Sequence, residues 1–321
     1  MDGSPEAVLA LDVGGTKVTG ALVTPDGEVG PVLRADSPAA LGPDAVLGTL
    51  GSLVRAVAEA GWPGRATPRV RALGVGTAGV VDVSRGTIVS ATDTFKDWPG
   101  TALADRLAVE TREVFGDRLP VHVQNDVDAH AEGEAWRGAA REARSCLVVA
   151  VGTGVGAGIV LEGRVLRGAH HVAGEIGHVP IGGADHLLCP CGRPGHLEAI
   201  GSGAGMARHY RWLGGWGAAN GREVVARARA GEQLAIRAVR ESAAAVGRGI
   251  AAVVTVLDPE LVVITGGVVG AGPVWWEPME RALRAEVVDV LGDLPVVPGA
   301  LGETGPLLGA AHAAWREVGA A

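Results

Sequence analysis

The stretch Val8–Val29, VLALDVGGTKVTGALVTPDGEV, places one aspartate, two glycines, a threonine and a lysine between two apolar runs. It reads as a strand (Val8–Val13), a glycine turn, a second strand (Val18–Val23), a turn at Asp26–Gly27 and a third strand. An Asp-Gly pair between apolar runs is a strong hairpin signal. The DVGGTK turn, Asp12–Lys17, is open to two readings, a plain hairpin or a cradle of backbone N–H groups for an anion. A second copy bears on the choice. Cys146–Leu166, CLVVAVGTGVGAGIVLEGRVL, again gives strand, Gly-Thr-Gly turn, strand, a tight Glu162–Gly163 turn and strand. Two such copies, each introducing an α/β segment, predict a duplicated architecture with a cleft between the halves. They differ where chemistry would sit, since Ala150 and Val155 stand where the first copy has Asp12 and Lys17.

The remaining elements follow from periodicity and caps. A helix is expected over Pro43–Ala60, closed by Gly61, then a strand near Val70–Val75. TALADRLAVETREVF has helical spacing of Leu103, Leu107 and Val114, with Thr101 as its expected cap, and LPVHVQND reads as a strand that ends in Asn125 and Asp126. A long Ala-rich helix from Glu232 to Leu257, the strand ELVVITGG and a last helix from about Gly305 complete the chain.

A formal net charge of −8 and a pI near 5.6 give no electrostatic footprint for nucleic acid or an anionic membrane. The first residues lack a secretory pattern, and no apolar run approaches the roughly twenty residues of a membrane span, so a cytoplasmic protein is expected. Three cysteines, Cys146, Cys189 and Cys191, cannot all pair, and the last two are too close in sequence to bond well with each other. The only lysines are Lys17 and Lys96, each in a turn rich in Gly, Asp or Thr.

Two literal G-x-G-x-x-G/A matches, GVGTAG (Gly74, Gly76, Gly79) and GTGVGA, lead into β and turn sequence rather than the helix that a dinucleotide site needs. No P-loop motif occurs. What remains is four glycine turns at strand ends: DVGGTK, GTAG, GTGVG and TGG at Thr265–Gly267. Glycine lets phosphate oxygens approach the backbone, so the set favours a phosphorylated ligand. Asp126, delivered to a strand's carboxyl end, could take a proton from an attacking hydroxyl; Asn125–Asp126 could equally be a helix cap. In HHVAGEIGHVPIGGADHLLCPCGRPGHLEAIGSG, His178, Cys189, Cys191 and His196 are four nitrogen or sulfur ligands in a Gly- and Pro-rich loop. They suit a closed, structural tetrahedral zinc, flanked by Glu175 and Glu198 as acceptors for substrate hydroxyls.

Taken in order, LDVGGTK, GTAGVVD, ND, VGTGVGAGIV, GEIGH, CPCG..GHLE and LDPELVVITGG resemble the ROK family of bacterial sugar kinases and repressors across nearly the whole chain. The resemblance implies the actin-like (ribonuclease H-like) two-domain α/β fold, with ATP and sugar in the interdomain cleft. The smaller domain would be 1–124 plus about 305–321, and the larger 125–304. The implied reaction is transfer of the γ-phosphate of ATP, with Mg2+ as cofactor, to a hydroxyl of glucose or a glucose-like hexose, commonly the 6-hydroxyl, by a homodimer. Asp126 matches the catalytic base; Gly79, Asn125, Glu175, His178 and Glu198 match sugar-binding positions. Asp12, Gly14, Gly15, Thr16 and Lys17 match the first phosphate motif, Gly152, Thr153 and Gly154 the second, and Gly266 and Gly267 the adenosine side. The family's C-x-C-x4-C zinc loop ends here in His196, which gives a two-His, two-Cys set. After the expected strand Gly86–Ala91 the chain reads ATDTFKDWPG where family glucokinases read like PNLGW. Asp93, Lys96 and Asp97 thus add charge near the sugar, and an amino sugar, an N-acetylhexosamine or a cyclitol joins glucose as a candidate acceptor. ROK repressors carry an amino-terminal winged helix; a first strand at about Val8 leaves no room for one. A non-catalytic sugar sensor is the remaining alternative.

Overall fold

The two apolar repeats become two five-stranded sheets of the same plan. The computed structural model describes residues 5–92 and 94–319, so Asp93 of the charged loop lies outside the described residues. In the first repeat, β1 (Glu6–Val13), β2 (Lys17–Val23) and β3 (Leu33–Asp36) form an antiparallel meander. Gly27 takes φ +84° at the Asp-Gly turn, but the third strand begins only at Leu33. Next comes α1 (Pro43–Ala60), with Gly61 at φ +52° closing it, then β4 (Arg69–Thr77) parallel to β1. A hairpin of β5 (Val80–Asp82) and β6 (Thr87–Ser90) follows GVGTAG, the β continuation expected there.

The next helix, α2 (Leu103–Phe115), corrects one expectation. Its cap position is Ala102, with no side-chain cap bond; the Thr101 carbonyl accepts the N–H groups of Leu103 and Ile88, each at 3.0 Å, tying the helix start to β6. Strand β7 (Val121–Asn125) lies parallel to β4 and runs directly into α3 (Asp126–Arg137).

The second repeat gives β8 (Cys146–Val151), β9 (Val155–Leu161) and β10 (Arg164–Val165), again an antiparallel meander. Helices α4 (Leu197–Gly201), α5 (Gly203–Trp212), α6 (Gly221–Arg229) and α7 (Gln233–Leu257) precede β11 (Leu261–Thr265), α8 (Pro273–Glu286) and β12 (Val296–Pro298). The last helix is α9 (Gly305–Glu317). The strand orders, β3-β2-β1-β4-β7 and β10-β9-β8-β11-β12, are equivalent position by position, and in each sheet the last three strands are parallel. Strands β1 and β8 are buried almost throughout, which explains why they read as continuous apolar runs rather than alternating ones. Among the described residues no helix is long and apolar enough to cross a membrane.

The chain divides into two compact units. One runs to Arg141 and adds Arg167–Ala173 and the chain from Glu303; the other holds Glu142–Leu166 and Gly174–Gly302. The first unit therefore extends beyond the sequence-based boundary at 124 and keeps α3. The reason is the packing of α9, which lies directly on α3 and β4 at three glycines. A Cβ on Gly309 would stand 1.8 Å from the Ala129 carbonyl oxygen, one on Gly133 2.2 Å from that of Gly305, and one on Gly74 2.0 Å from that of Ala310. Backbone blocks each position, so relaxation is costly. Gly309→Ala is expected to destabilise the protein by about 2 kcal/mol or more through overpacking, read as a lowered midpoint in urea.

Candidate functional site

Strand register gathers the chemistry of the first unit. Asp12 pairs with Gly76 and Val13 with Thr77 across β1 and β4, and Thr77 pairs with Asn125 across β4 and β7. Asp12 and Asp126 thus lie at the carboxyl ends of parallel strands on either side of β4, the end at which open α/β sheets bind ligands. Burial pushes the Asp12 carboxyl up to about 7, helped by the Asp126 charge and opposed by Lys17. Burial likewise raises Asp126, against the Val127 N–H that donates to its Oδ1 at 3.0 Å.

Asn125 is a helix cap. Its Oδ1 accepts the N–H groups of Val127 (2.8 Å) and Asp128 (3.2 Å), and its Nδ2 donates to the Gly79 carbonyl at 3.0 Å. One side chain therefore starts α3, aims Asp126 and holds the turn at Gly79, whose φ of +102° excludes ordinary side chains. The DVGGTK turn closes with the Gly14 N–H on the Lys17 carbonyl, and Gly15 has no room for a Cβ because Thr94 Cγ2 would lie 2.3 Å from it. The Lys17 Nζ donates to Glu303 Oε1 at 2.9 Å, and Arg34 holds the other oxygen at 2.6 Å. In the charged loop, Phe95 and Trp98 are buried and stacked with centroids 5.0 Å apart, leaving Lys96 and Asp97 exposed.

Beneath Asp126 lies a network that sequence reading missed. Arg167 donates to Asp128 Oδ2 at 2.8 Å and Gln124 Oε1 at 2.5 Å, with Glu132 3.9 Å away, and His312 and Arg316 reach Glu132 at 3.1 and 3.6 Å. The available signal was the i, i+4 pair Asp128 and Glu132 on the buried face of α3. Two buried carboxylates one turn apart require cations, here supplied from distant segments.

In the second unit, the GTGVG turn is held by Gly152 N–H to the Gly154 carbonyl (2.9 Å) and Gly203 N–H to the Gly152 carbonyl (2.8 Å). Glu198 Oε2 accepts the Val155 N–H at 2.9 Å, so this carboxylate is anchored on that turn. GEIGH lies against β9 through two glycines: a Cβ on Gly174 would stand 1.9 Å from the Ala157 carbonyl oxygen, and one on Gly177 2.2 Å from that of Val155. This contact presents Glu175 and His178, with His178 Nε2 3.6 Å from Glu175 Oε2. Gly266 packs against Val151 at φ +89°, while Gly267 faces open space.

His178, Cys189, Cys191 and His196 converge, with one ligand atom from each within 4.8 Å of the others. Cys189 Sγ is 3.6 Å from His178 Nδ1 and Cys191 Sγ 3.2 Å from His196 Nδ1, close to the ligand-to-ligand separations that Zn–S and Zn–N bonds of about 2.3 and 2.0 Å produce in a tetrahedron. Both imidazoles turn Nδ1 inward, which leaves His178 Nε2 on the Glu175 side. Burial lowers His196 and keeps its ring in the neutral, metal-binding form, and burial pushes the Cys189 thiol up to about 11. A divalent cation bound here would offset that cost by holding the thiolate.

The ROK family model matches residues 8–317. The chain belongs to the ROK family. It is 29% identical to the glucokinase of Thermotoga maritima over 97% of this chain and 98% of that one. The ROK hexokinase structure from Thermus thermophilus superposes with a TM-score of 0.82 at 31% identity, covering 98% of this chain and all of that one. The ROK glucokinase from Streptomyces griseus, solved with glucose and AMPPNP, gives 0.79 at 27%, covering 97% and 99%. The fold is thus the actin-like α/β fold of ROK sugar kinases.

The raised Asp12 pKa has a consequence for stability. Between about 3.8 and 7 the folded chain holds a proton that the unfolded chain has released, so this group's contribution favours folding at low pH and is lost as pH rises to about 7. Asp12→Asn removes the titration. In thermal melts of ligand-free protein, the variant is expected to gain about 2 kcal/mol on wild type between pH 5 and pH 8.

Proposed function

We propose that this chain is an ATP-dependent hexose kinase that transfers the γ-phosphate of ATP to the 6-hydroxyl of glucose or a glucose-like sugar. The observation that carries the reading is the placement of Asp126, half-buried at the start of α3, beside Asp12 at the same sheet end, in a chain of the ROK family. Asp126 takes the proton of the attacking hydroxyl as that oxygen bonds to the γ-phosphorus and ADP leaves. Burial raises its pKa and so makes the carboxylate a stronger base than an exposed aspartate. The Asn125 side chain also bonds the Asp126 carboxyl, so it would place that carboxylate against the sugar hydroxyl, and Gly79 would offer its N–H. Glu175, His178 Nε2 and Glu198 Oε1 would take further hydroxyls, each with another atom already anchored in its own unit.

For the nucleotide, Gly14, Gly15 and Thr16 and the turn Gly152–Thr153–Gly154 would direct N–H groups at the phosphates, and Gly266 and Gly267 would border the adenosine. Asp12 would hold Mg2+ or its waters, and the ion would supply neutralisation of phosphate charge. Lys17 would exchange Glu303 for phosphate. His178, Cys189, Cys191 and His196 would hold a structural Zn2+ that fixes the loop bearing Glu175 and Glu198. A homodimer working in the cytoplasm completes the proposal. The exposed pair Lys96 and Asp97 favours a second acceptor class, an amino sugar, an N-acetylhexosamine or a cyclitol.

With Mg-ATP, purified protein is expected to release ADP in the presence of one member of a panel of hexoses, amino-hexoses, N-acetylhexosamines and cyclitols. Asp126→Ala should lower that rate by roughly 10²- to 10⁴-fold without loss of fold. Silence across the whole panel from folded, metal-replete protein would defeat the enzyme reading and leave the sensor. Elemental analysis should find one zinc per chain, lost in Cys189→Ser together with a lowered melting temperature; an equal zinc content in that variant would remove the proposed ligand set.

A further inference from the structure

The second unit carries a cavity of about 640 Å³ that none of the residues assigned above lines. It forms beside the crossing of α7 and α8, which approach closely because Gly247 has no side chain; a Cβ there would stand 2.1 Å from the Met279 carbonyl oxygen. Next to this contact the apolar residues that the helices present, Ala244, Pro278, Ala282 and Ala285, are too small to fill the space.

The walls are unusually basic. Arg237, Arg240 and Arg248 on one face of α7, and Arg281 on α8, line the cavity together with a single carboxylate, Glu241. That carboxylate is already engaged, accepting from Arg237 Nε at 2.8 Å and facing His209 Nε2 at 2.5 Å. Arg248 donates to the Gly182 carbonyl, which leaves its charge uncompensated. Arg240 and Arg281 have no hydrogen-bond or ion-pair partner among the described residues. In a chain with 36 acidic and 28 basic residues, four guanidiniums around one satisfied carboxylate reverse the overall balance.

At the rim Trp212 is 58% exposed, its ring held 4.0 Å from that of His186, and His186 is fixed by a 3.1 Å contact with His209 Nδ1. Planar guanidiniums suit phosphate oxygens, and an ordered indole offers a face for a carbon skeleton. The volume falls in the range of small-molecule sites and exceeds what a bare phosphate fills. We propose that this cavity is a binding site for a phosphate-bearing small molecule, with Arg240 and Arg281 on the phosphate and Trp212 against the organic part.

Calorimetric titration of the full chain tests this with three probes: inorganic phosphate, glucose 6-phosphate and glucose. Glucose 6-phosphate is expected to bind wild type more tightly than inorganic phosphate, and the Arg240→Ala/Arg281→Ala variant should bind it roughly tenfold more weakly or worse. Arg240→Lys/Arg281→Lys should recover part of the loss. Tighter binding of inorganic phosphate with the same dependence on both arginines keeps the anion site and overturns the organic part. Equal affinities in wild type and the alanine variant place the ligand elsewhere and overturn the proposal. So does an altered mass of that variant by light scattering when wild type binds neither phosphate probe, which assigns the arginines to a protein contact. Both arginines are exposed, so the variants should retain the wild-type circular dichroism.

Discussion

The candidate site rests on the three hydrogen bonds of the Asn125 side chain. Two accepted N–H groups start α3, and one donated N–H holds the Gly79 carbonyl. A helix start needs its first N–H groups satisfied, and this cap does so while leaving Asp126 in the first turn at the end of β7. The cap is formed, and the geometry that forms it is compatible with the role proposed for the Asn-Asp pair. The cap fixes where the carboxylate points; burial at the same place determines how readily it holds a proton.

The duplicated sheet shows how one scaffold serves two tasks. Position for position the meanders agree, yet the first has Asp12 next to the end of β1 and Lys17 at the start of β2, where the second has Ala150 and Val155. In the second copy, the turn's N–H at Val155 is met by a carboxylate brought from α4, Glu198. A carboxyl group stands near each of these two glycine turns, drawn from the strand itself in one unit and from a helix in the other.

Much of this was legible in the chain. Helix α1 could be read to the residue because Pro43 and Gly61 punctuate both ends, and the strands of both repeats were readable because their apolar runs stop at glycine turns. The zinc-type ligands were readable because they are close in sequence. Contacts between distant residues were not: the pairing of Lys17 with Glu303 spans 286 positions, and Arg167 meets Asp128 only after the chain has built three strands in another sheet. The packing of α9 on α3 was not readable either, because the glycines that fit the two helices together carry no periodicity of their own.

The place of α9 also bears on the order in which the molecule can be built. The helix that covers β4 and α3 is the last element described, whereas its partners lie in the first 137 residues. During synthesis β4 and α3 lack the cover of α9 until residues 305–317 leave the ribosome, while the second unit has all its strands and helices by Gly302. The unit encoded in the middle can therefore be finished before the one that begins the chain.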